Sequence, residues 1–117
     1  MSKLLIVENQ KNLALLYKRE FLEDGYDVIL AREGNEAINK TKRYHPDLVI
    51  MDIRLPGLDG ITTMGEILQI NKNIPIIINT EYPIYKDDFI TWAVKTFVIK
   101  SGDLTELKNE VSKFLDN

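Results

Sequence analysis

Several strands predicted from the sequence end in polar side chains that could do chemistry together. The candidates are Glu8 and Asn9 after the first strand, Asp52 after the third, Thr80 at the end of the fourth and Lys100 after the fifth. Because the carboxyl ends of parallel strands collect at one edge of a sheet, we expect these side chains to share a pocket. Carboxylate, amide and backbone carbonyl oxygens suit a hard cation such as Mg²⁺. A carboxylate nucleophile beside a cation, a hydroxyl and an ammonium group is suited to phosphoryl transfer.

The elements that must position these residues alternate regularly along the chain. The apolar run 48–51, which ends at Asp52, is typical of a strand buried on both faces. Similar patterns predict strands over 3–7, 26–31, 48–51, 76–78 and 96–99, helices over 10–24, 34–44, 59–70 and 85–95, and a final helix opened by a capping box from Asp103 to Glu106. This order predicts an α/β fold: a doubly wound, five-stranded parallel sheet of strand order 2-1-3-4-5 with helices on both faces.

The composition favours one small domain inside the cell. The 117 residues, of which 44% are hydrophobic and 28% charged, suffice for a single domain spanning residues 1–117. The net charge of −3 argues against direct nucleic acid binding, which needs a basic face. The absence of cysteine excludes disulfides and thiolate metal sites and fits a reducing compartment. No apolar run is long enough for a signal peptide or a membrane span, so we expect a cytoplasmic protein.

One segment carries a specific resemblance to a known family. Residues 47–60, DLVIMDIRLPGLDG, are very similar to the phospho-acceptor motif of the receiver domains of two-component response regulators, which are CheY-like. Residues 4–8, 76–80 and 97–100 look like the first-, fourth- and fifth-strand motifs of the same family. The resemblance covers the whole chain, and it implies the flavodoxin-like, CheY-like form of the fold predicted above.

By this resemblance, Asp52 accepts a phosphoryl group from the phosphohistidine of a histidine kinase or of a phosphotransfer protein, with Mg²⁺ required. The metal ligands it implies are Glu8, Asn9, Asp52 and the backbone carbonyl of Arg54. Thr80 would donate a hydrogen bond to the phosphoryl group, and Lys100 would pair with it. Such a domain catalyses at most its own phosphorylation and dephosphorylation, so it is a phosphorelay signalling module rather than an enzyme.

The resemblance also implies a conformational switch. Phe97 matches the aromatic residue that changes rotamer when Thr80 is drawn inward, which reshapes the surface of the fourth helix, fifth strand and fifth helix for a downstream protein target. Glu81, Tyr82 and Arg54 occupy positions that govern access to the site. We predict that Tyr82 and Arg54 make the site bulky and the phosphorylated form slow to hydrolyse.

The sequence departs from the family pattern at the metal site and beside Thr80. Asn9 stands where the family usually has Asp, and the lost negative charge is worth on the order of 1–4 kcal/mol beside a cation, so we predict weakened Mg²⁺ binding. Glu81 replaces a small residue; it could substitute for the missing carboxylate, pair with Lys100, or obstruct a phosphodonor. Ser101 stands where many members have a cis-proline, and the segment between Thr80 and Lys100 is short.

These departures leave an alternative function open. The chain could be a degenerate receiver that keeps the fold and binds partners without being switched by phosphate. A flavodoxin-type cofactor binder is disfavoured, because the loop at 8–12 has no glycine or Ser/Thr run to cradle a flavin phosphate. His45, the only histidine, precedes a proline and is predicted to have a surface or capping role.

Overall fold

A computed structural model describes residues 1–55, 58–81 and 96–116. Its elements, in chain order, are β1 (Lys3–Val7), α1 (Lys11–Glu23), β2 (Asp27–Ala31), α2 (Gly34–Tyr44), β3 (Leu48–Met51), α3 (Gly60–Ile70), β4 (Ile76–Thr80), β5 (Thr96–Ile99) and α4 (Thr105–Leu115). The predicted helix over 85–95 and the position of Tyr82 lie outside the described residues. Within the described ranges, no helix is long and apolar enough to cross a membrane.

The five strands form one parallel sheet in the order β2-β1-β3-β4-β5, which confirms the predicted topology. Strands β1 and β3 end at the same level of the sheet, since Val7 pairs with Met51. On the other side of β3, Met51 pairs with Ile78, and Thr80 pairs with Ile99 at the end of β4 and β5. The first residues after these strands therefore lie along a single edge of the sheet.

Each face of the sheet carries its own hydrophobic core. Alternate strand residues, such as Val7, Met51 and Ile78, pack on the face covered by α2 and α3. The residues between them, such as Ile6 and Ile50, pack on the opposite face with residues of α1 and α4. Successive strand residues point to opposite faces of the sheet. If the alternation continues past the end of a strand, the next side chain lies on the face opposite that of the last strand residue.

Residues at the helix ends explain where α2, α3 and α4 begin or end, and one predicted cap is corrected. Asp59 caps α3, because its side chain accepts a hydrogen bond from the backbone N–H of Thr62. His45 ends α2 in the left-handed region, at φ 50°, in the capping role predicted for it. The predicted capping box of α4 is wrong: the helix begins at Thr105, and Asp103 instead binds the Thr105 N–H and hydroxyl in a short local turn.

Candidate functional site

Two carboxylates meet where β1 and β3 leave the sheet. Glu8 follows Val7 and Asp52 follows Met51, which are partners in the β1–β3 register. The backbone holds both positions, since the Glu8 N–H donates to the Ala31 carbonyl at 2.9 Å and the Asp52 N–H to the Val7 carbonyl at 3.3 Å. Strand alternation assigns both side chains to the face covered by α1 and α4. The sequence prediction that these two carboxylates converge is therefore correct in geometry.

Lys100 joins the two carboxylates. Its Nζ lies 2.6 Å from Glu8 Oε1 and 2.7 Å from Asp52 Oδ2. The three side chains are nearly buried, with 7% of Lys100, 4% of Glu8 and 12% of Asp52 exposed. Burial alone would lower the pKa of Lys100, but the hydrogen bonds to Asp52 and Glu8 and the two negative charges outweigh it and raise that pKa above its ordinary value. The cluster is thus an ammonium group held between two anions.

The remaining oxygen of each carboxylate is held by the backbone that follows it. Glu8 Oε2 accepts the N–H of Gln10 at 3.0 Å, and Asp52 Oδ1 accepts the N–H of Arg54 at 3.0 Å. These charge-assisted hydrogen bonds come from the backbone and, together with Lys100, fix the orientation of both carboxyl groups.

A pocket of about 190 Å³ opens beside the two carboxylates. It is lined by Glu8, Asn9, Gln10, Asp52, Arg54 and Glu81. In the parts of the chain that the structure describes, no three His, Cys, Asp or Glu side chains cluster in a way that could hold a metal ion. Two carboxylates with amide and carbonyl oxygens nevertheless fit Mg²⁺, because this ion is usually bound by one or two carboxylates and keeps several waters.

Thr80 and Phe97 lie on the neighbouring strands β4 and β5, and Phe97 packs on the face of the sheet opposite the two carboxylates. Thr80 is fully buried at the end of β4, and Phe97 is partly buried against the core beneath α2 and α3. Phe97 pairs in register with Ile78, two residues before Thr80. The backbone N–H of Lys100 donates to the Thr80 carbonyl at 2.7 Å, so the backbones of the two residues are joined where β4 and β5 end.

Comparison with known proteins assigns the family. A sequence model of the response regulator receiver domain matches residues 4–112. The chain belongs to the response regulator receiver domain family. It is therefore a receiver domain of a two-component system, and the identity suggested by the 47–60 motif is confirmed.

The relatives of this receiver domain include short and long proteins. It is 32% identical to sporulation initiation phosphotransferase F of Bacillus subtilis, over 97% of this chain and 93% of that protein. It is 39% identical to the response regulator protein TrrA of Thermotoga maritima, solved in complex with Mg²⁺-BeF, with a TM-score of 0.92 over 98% of this chain and 100% of the other. A structure of histidine kinase ThkA in complex with TrrA matches at 39% identity with a TM-score of 0.90, covering 98% and 99% of the two chains. Other curated relatives are longer, and the chain spans only 25–32% of their length.

The other predicted residues of this receiver domain have different outcomes. Asn9, Arg54 and Glu81 line the same pocket as the carboxylates, and all three are exposed. The ion-pair partners of Lys100 are Glu8 and Asp52, so the suggested Glu81–Lys100 pair does not form. The roles assigned to these residues stay predictions.

Sequence reasoning missed the polar side chains beneath and around the receiver site. Gln10, the first residue of the predicted helix 10–24, orients Glu8 through its backbone N–H. The Tyr17 hydroxyl accepts a hydrogen bond from Asn79 Nδ2 at 2.9 Å in a buried position. The signal for this pair is Asn79 itself, because an amide that follows three isoleucines in a buried strand needs a hydrogen-bond partner.

Proposed function

We propose that residues 1–117 form one phospho-acceptor receiver domain, in which Asp52 takes a phosphoryl group from the phosphohistidine of a histidine kinase or phosphotransfer protein. The observation that carries this proposal is the position of Lys100 Nζ, 2.7 Å from Asp52 Oδ2 in a nearly buried site. Asp52 lines an open, polar pocket beside this ammonium, and an acceptor of an anionic group needs both the pocket and the ammonium.

The chemistry is a displacement at phosphorus. A carboxylate oxygen of Asp52 forms a bond to phosphorus while the phosphorus–nitrogen bond of the phosphohistidine breaks, and the imidazole leaves with the electron pair of that bond. The products are an aspartyl phosphate and a free histidine, without any redox change. Lys100 and the hydroxyl of Thr80 would stabilise the charge on the transferred phosphoryl oxygens.

The acidic pocket suits a Mg²⁺ ion held by Glu8, Asn9, Asp52 and the backbone carbonyl of Arg54. When bound there, the ion supplies positive charge that offsets the repulsion between Asp52 and the incoming phosphoryl oxygens. The Mg²⁺-BeF complex of the similar protein TrrA supports this assignment. Asn9 removes one carboxylate from the set, and weakened Mg²⁺ binding follows from that loss.

The consequence of phosphorylation is a change at the surface around β5. Thr80, buried at the end of β4, and Phe97, partly buried on the neighbouring β5, are the proposed switch that alters this face for a downstream protein. The proposed partners are a histidine kinase or phosphotransfer protein and that target, and the proposed location is the cytoplasm. The ThkA–TrrA complex supports the first of these partners.

The proposal is tested by incubating the chain with phosphoramidate and Mg²⁺ and measuring the intact mass. The expected result is a gain of one phosphoryl group in the unaltered chain and in Asp47→Asn, but not in Asp52→Asn. Asp47 is the matched control because it is an exposed carboxylate at the opposite end of β3. No gain at any Mg²⁺ concentration would contradict the proposal and favour a degenerate receiver that only binds partners.

A further inference from the structure

The hydrogen bond between Tyr17 and Asn79 is buried in the core beneath the receiver site. Asn79 is 3% exposed and Tyr17 is 1% exposed. The pair connects α1 to β4, 62 residues apart in the sequence. A buried amide and a buried phenol cost free energy unless they are hydrogen-bonded, and this bond gives each group a partner.

Asn79 lies on the path that the Lys100 side chain must take. Asp52 follows β3 and Lys100 follows β5, and β4 lies between these strands. Neighbouring strands are about 4.8 Å apart, so the Lys100 side chain must cross β4 to reach Asp52 and Glu8. Strand alternation assigns Asn79 to the same face, and Asn79 pairs with Val98, two residues before Lys100. Asn79 is therefore the β4 residue beneath this crossing.

Tyr17 lies within the electric field of the same three charged groups. Burial is the main cause of its raised pKa, and the charge of Lys100 lowers that pKa while the charges of Glu8 and Asp52 raise it. Tyr17 packs in the core on the face of the sheet that carries the ion cluster, and its hydroxyl senses the charge of each member.

We propose that Tyr17 and Asn79 are positioning residues for Lys100. Their hydrogen bond fixes the Asn79 side chain beside the path of the Lys100 side chain and so restricts the positions from which the ammonium reaches Glu8 and Asp52. Neither residue touches the phosphoryl group. The inference rests on the proposed function, since its consequence is the readiness of Asp52 and Lys100 for phosphoryl transfer.

The first test is Tyr17→Phe, with Tyr26→Phe as its matched control. Tyr26 is also buried, and its hydroxyl donates to Asp116 at 2.8 Å, at the opposite end of the sheet. Both variants should lose similar stability in urea. Only Tyr17→Phe should shift the ¹⁵Nζ NMR signal of Lys100, assigned by its loss in Lys100→Met, and slow phosphorylation by phosphoramidate about tenfold, as small misplacements of reacting groups do.

A double variant separates positioning from stability. Combining Tyr17→Phe with Asn79→Leu removes both polar groups, which should restore most of the lost stability. The Lys100 signal and the phosphorylation rate should remain altered. Recovery of both along with stability, or a Lys100 signal unchanged in Tyr17→Phe, would overturn the inference. If the unaltered chain takes up no phosphoryl group, the proposed function fails, and the Lys100 signal alone still decides whether the pair positions the lysine.

Discussion

Lys100 Nζ lies 2.7 Å from Asp52 Oδ2 although two strand spacings separate the ends of β5 and β3. The same ammonium lies 2.6 Å from Glu8 Oε1, so one lysine pairs with two nearly buried carboxylates and offsets one of their two negative charges. In a medium less polar than water, this arrangement is strongly favoured over either carboxylate left alone. The stability of the domain and its proposed phosphoryl transfer therefore involve the same contact.

Removing this ammonium should destabilise the fold. Lys100→Met leaves two unpaired carboxylates in the site and should lower the free energy of unfolding by about 3 kcal/mol, measured by urea titration at neutral pH. Adding Glu8→Gln to this variant removes one of the two charges and should recover part of the loss. A double variant no more stable than Lys100→Met alone would show that charge is not the cause.

Restoring the second acidic residue should strengthen Mg²⁺ binding. Asn9→Asp adds a negative charge to the pocket that holds Glu8 and Asp52, and we expect the dissociation constant for Mg²⁺ to fall at least about fivefold, corresponding to about 1 kcal/mol. Isothermal titration calorimetry measures the change. Asn39→Asp, which adds the same charge at an exposed position of α2, is the control and should leave the affinity nearly unchanged.

The fold and the meeting of the charged residues were predictable because they follow from local pattern. An apolar run such as 48–51 is typical of a buried strand, and alternation with helices favours a doubly wound parallel sheet, so the residues after each strand are expected to share an edge. Which charged side chains pair with one another at that edge was not predictable. Whether Lys100 binds Glu8, Asp52 or Glu81 depends on side-chain reach across β4, which the sequence does not encode in its periodicity.

The approach of α3 to the loop after β3 depends on Gly60. A Cβ at this position would overlap the Ile53 carbonyl oxygen and lie 2.7 Å from its Cα, whereas a Cβ at Gly65 in the same helix meets nothing within 4 Å. Gly60→Ala should therefore destabilise the domain by about 1–3 kcal/mol. Gly65→Ala should stabilise it by about 0.5–1 kcal/mol through helix propensity. Equal effects of the two substitutions in urea unfolding would contradict this account.

The packing of α4 on α1 should depend on pH through Lys108. Its Nζ lies 2.9 Å from Glu20 and 3.2 Å from Asp24, and the hydrogen bond to Glu20 raises the pKa of Lys108 while it lowers the pKa of Glu20. The lysine contribution is present below its unfolded pKa and is lost as the pH rises through the raised folded value. The glutamate contribution is present above its unfolded pKa and is lost as the pH falls through the lowered folded value.

The Tm difference between the unaltered chain and Lys108→Met should therefore be largest between about pH 5 and pH 10 and should close at both extremes. Lys18→Met, at an exposed position of α1 without an ion pair in the described part of the chain, is the control. A Tm difference that stays constant with pH would show that the packing of the lysine stem, not its charge, is responsible.

The buried hydrogen bond of Asn79 shows where sequence reasoning stops. The amide was visible as an exception in an isoleucine strand, but its partner Tyr17 lies on a helix whose rotation about its axis is set by packing. A tyrosine at an inward helical position is usually core, and only the fold reveals that its hydroxyl accepts a buried hydrogen bond from Asn79.

The most direct test of the proposed function locates the residue that receives the phosphoryl group, which we propose is Asp52. After incubation with phosphoramidate and Mg²⁺, borohydride reduction converts an aspartyl phosphate to homoserine, and tandem mass spectrometry of the peptides locates it. We predict homoserine at position 52 and an unmodified Asp59 seven residues later. Homoserine at another aspartate, or none while the chain carries a phosphoryl group, would contradict the account.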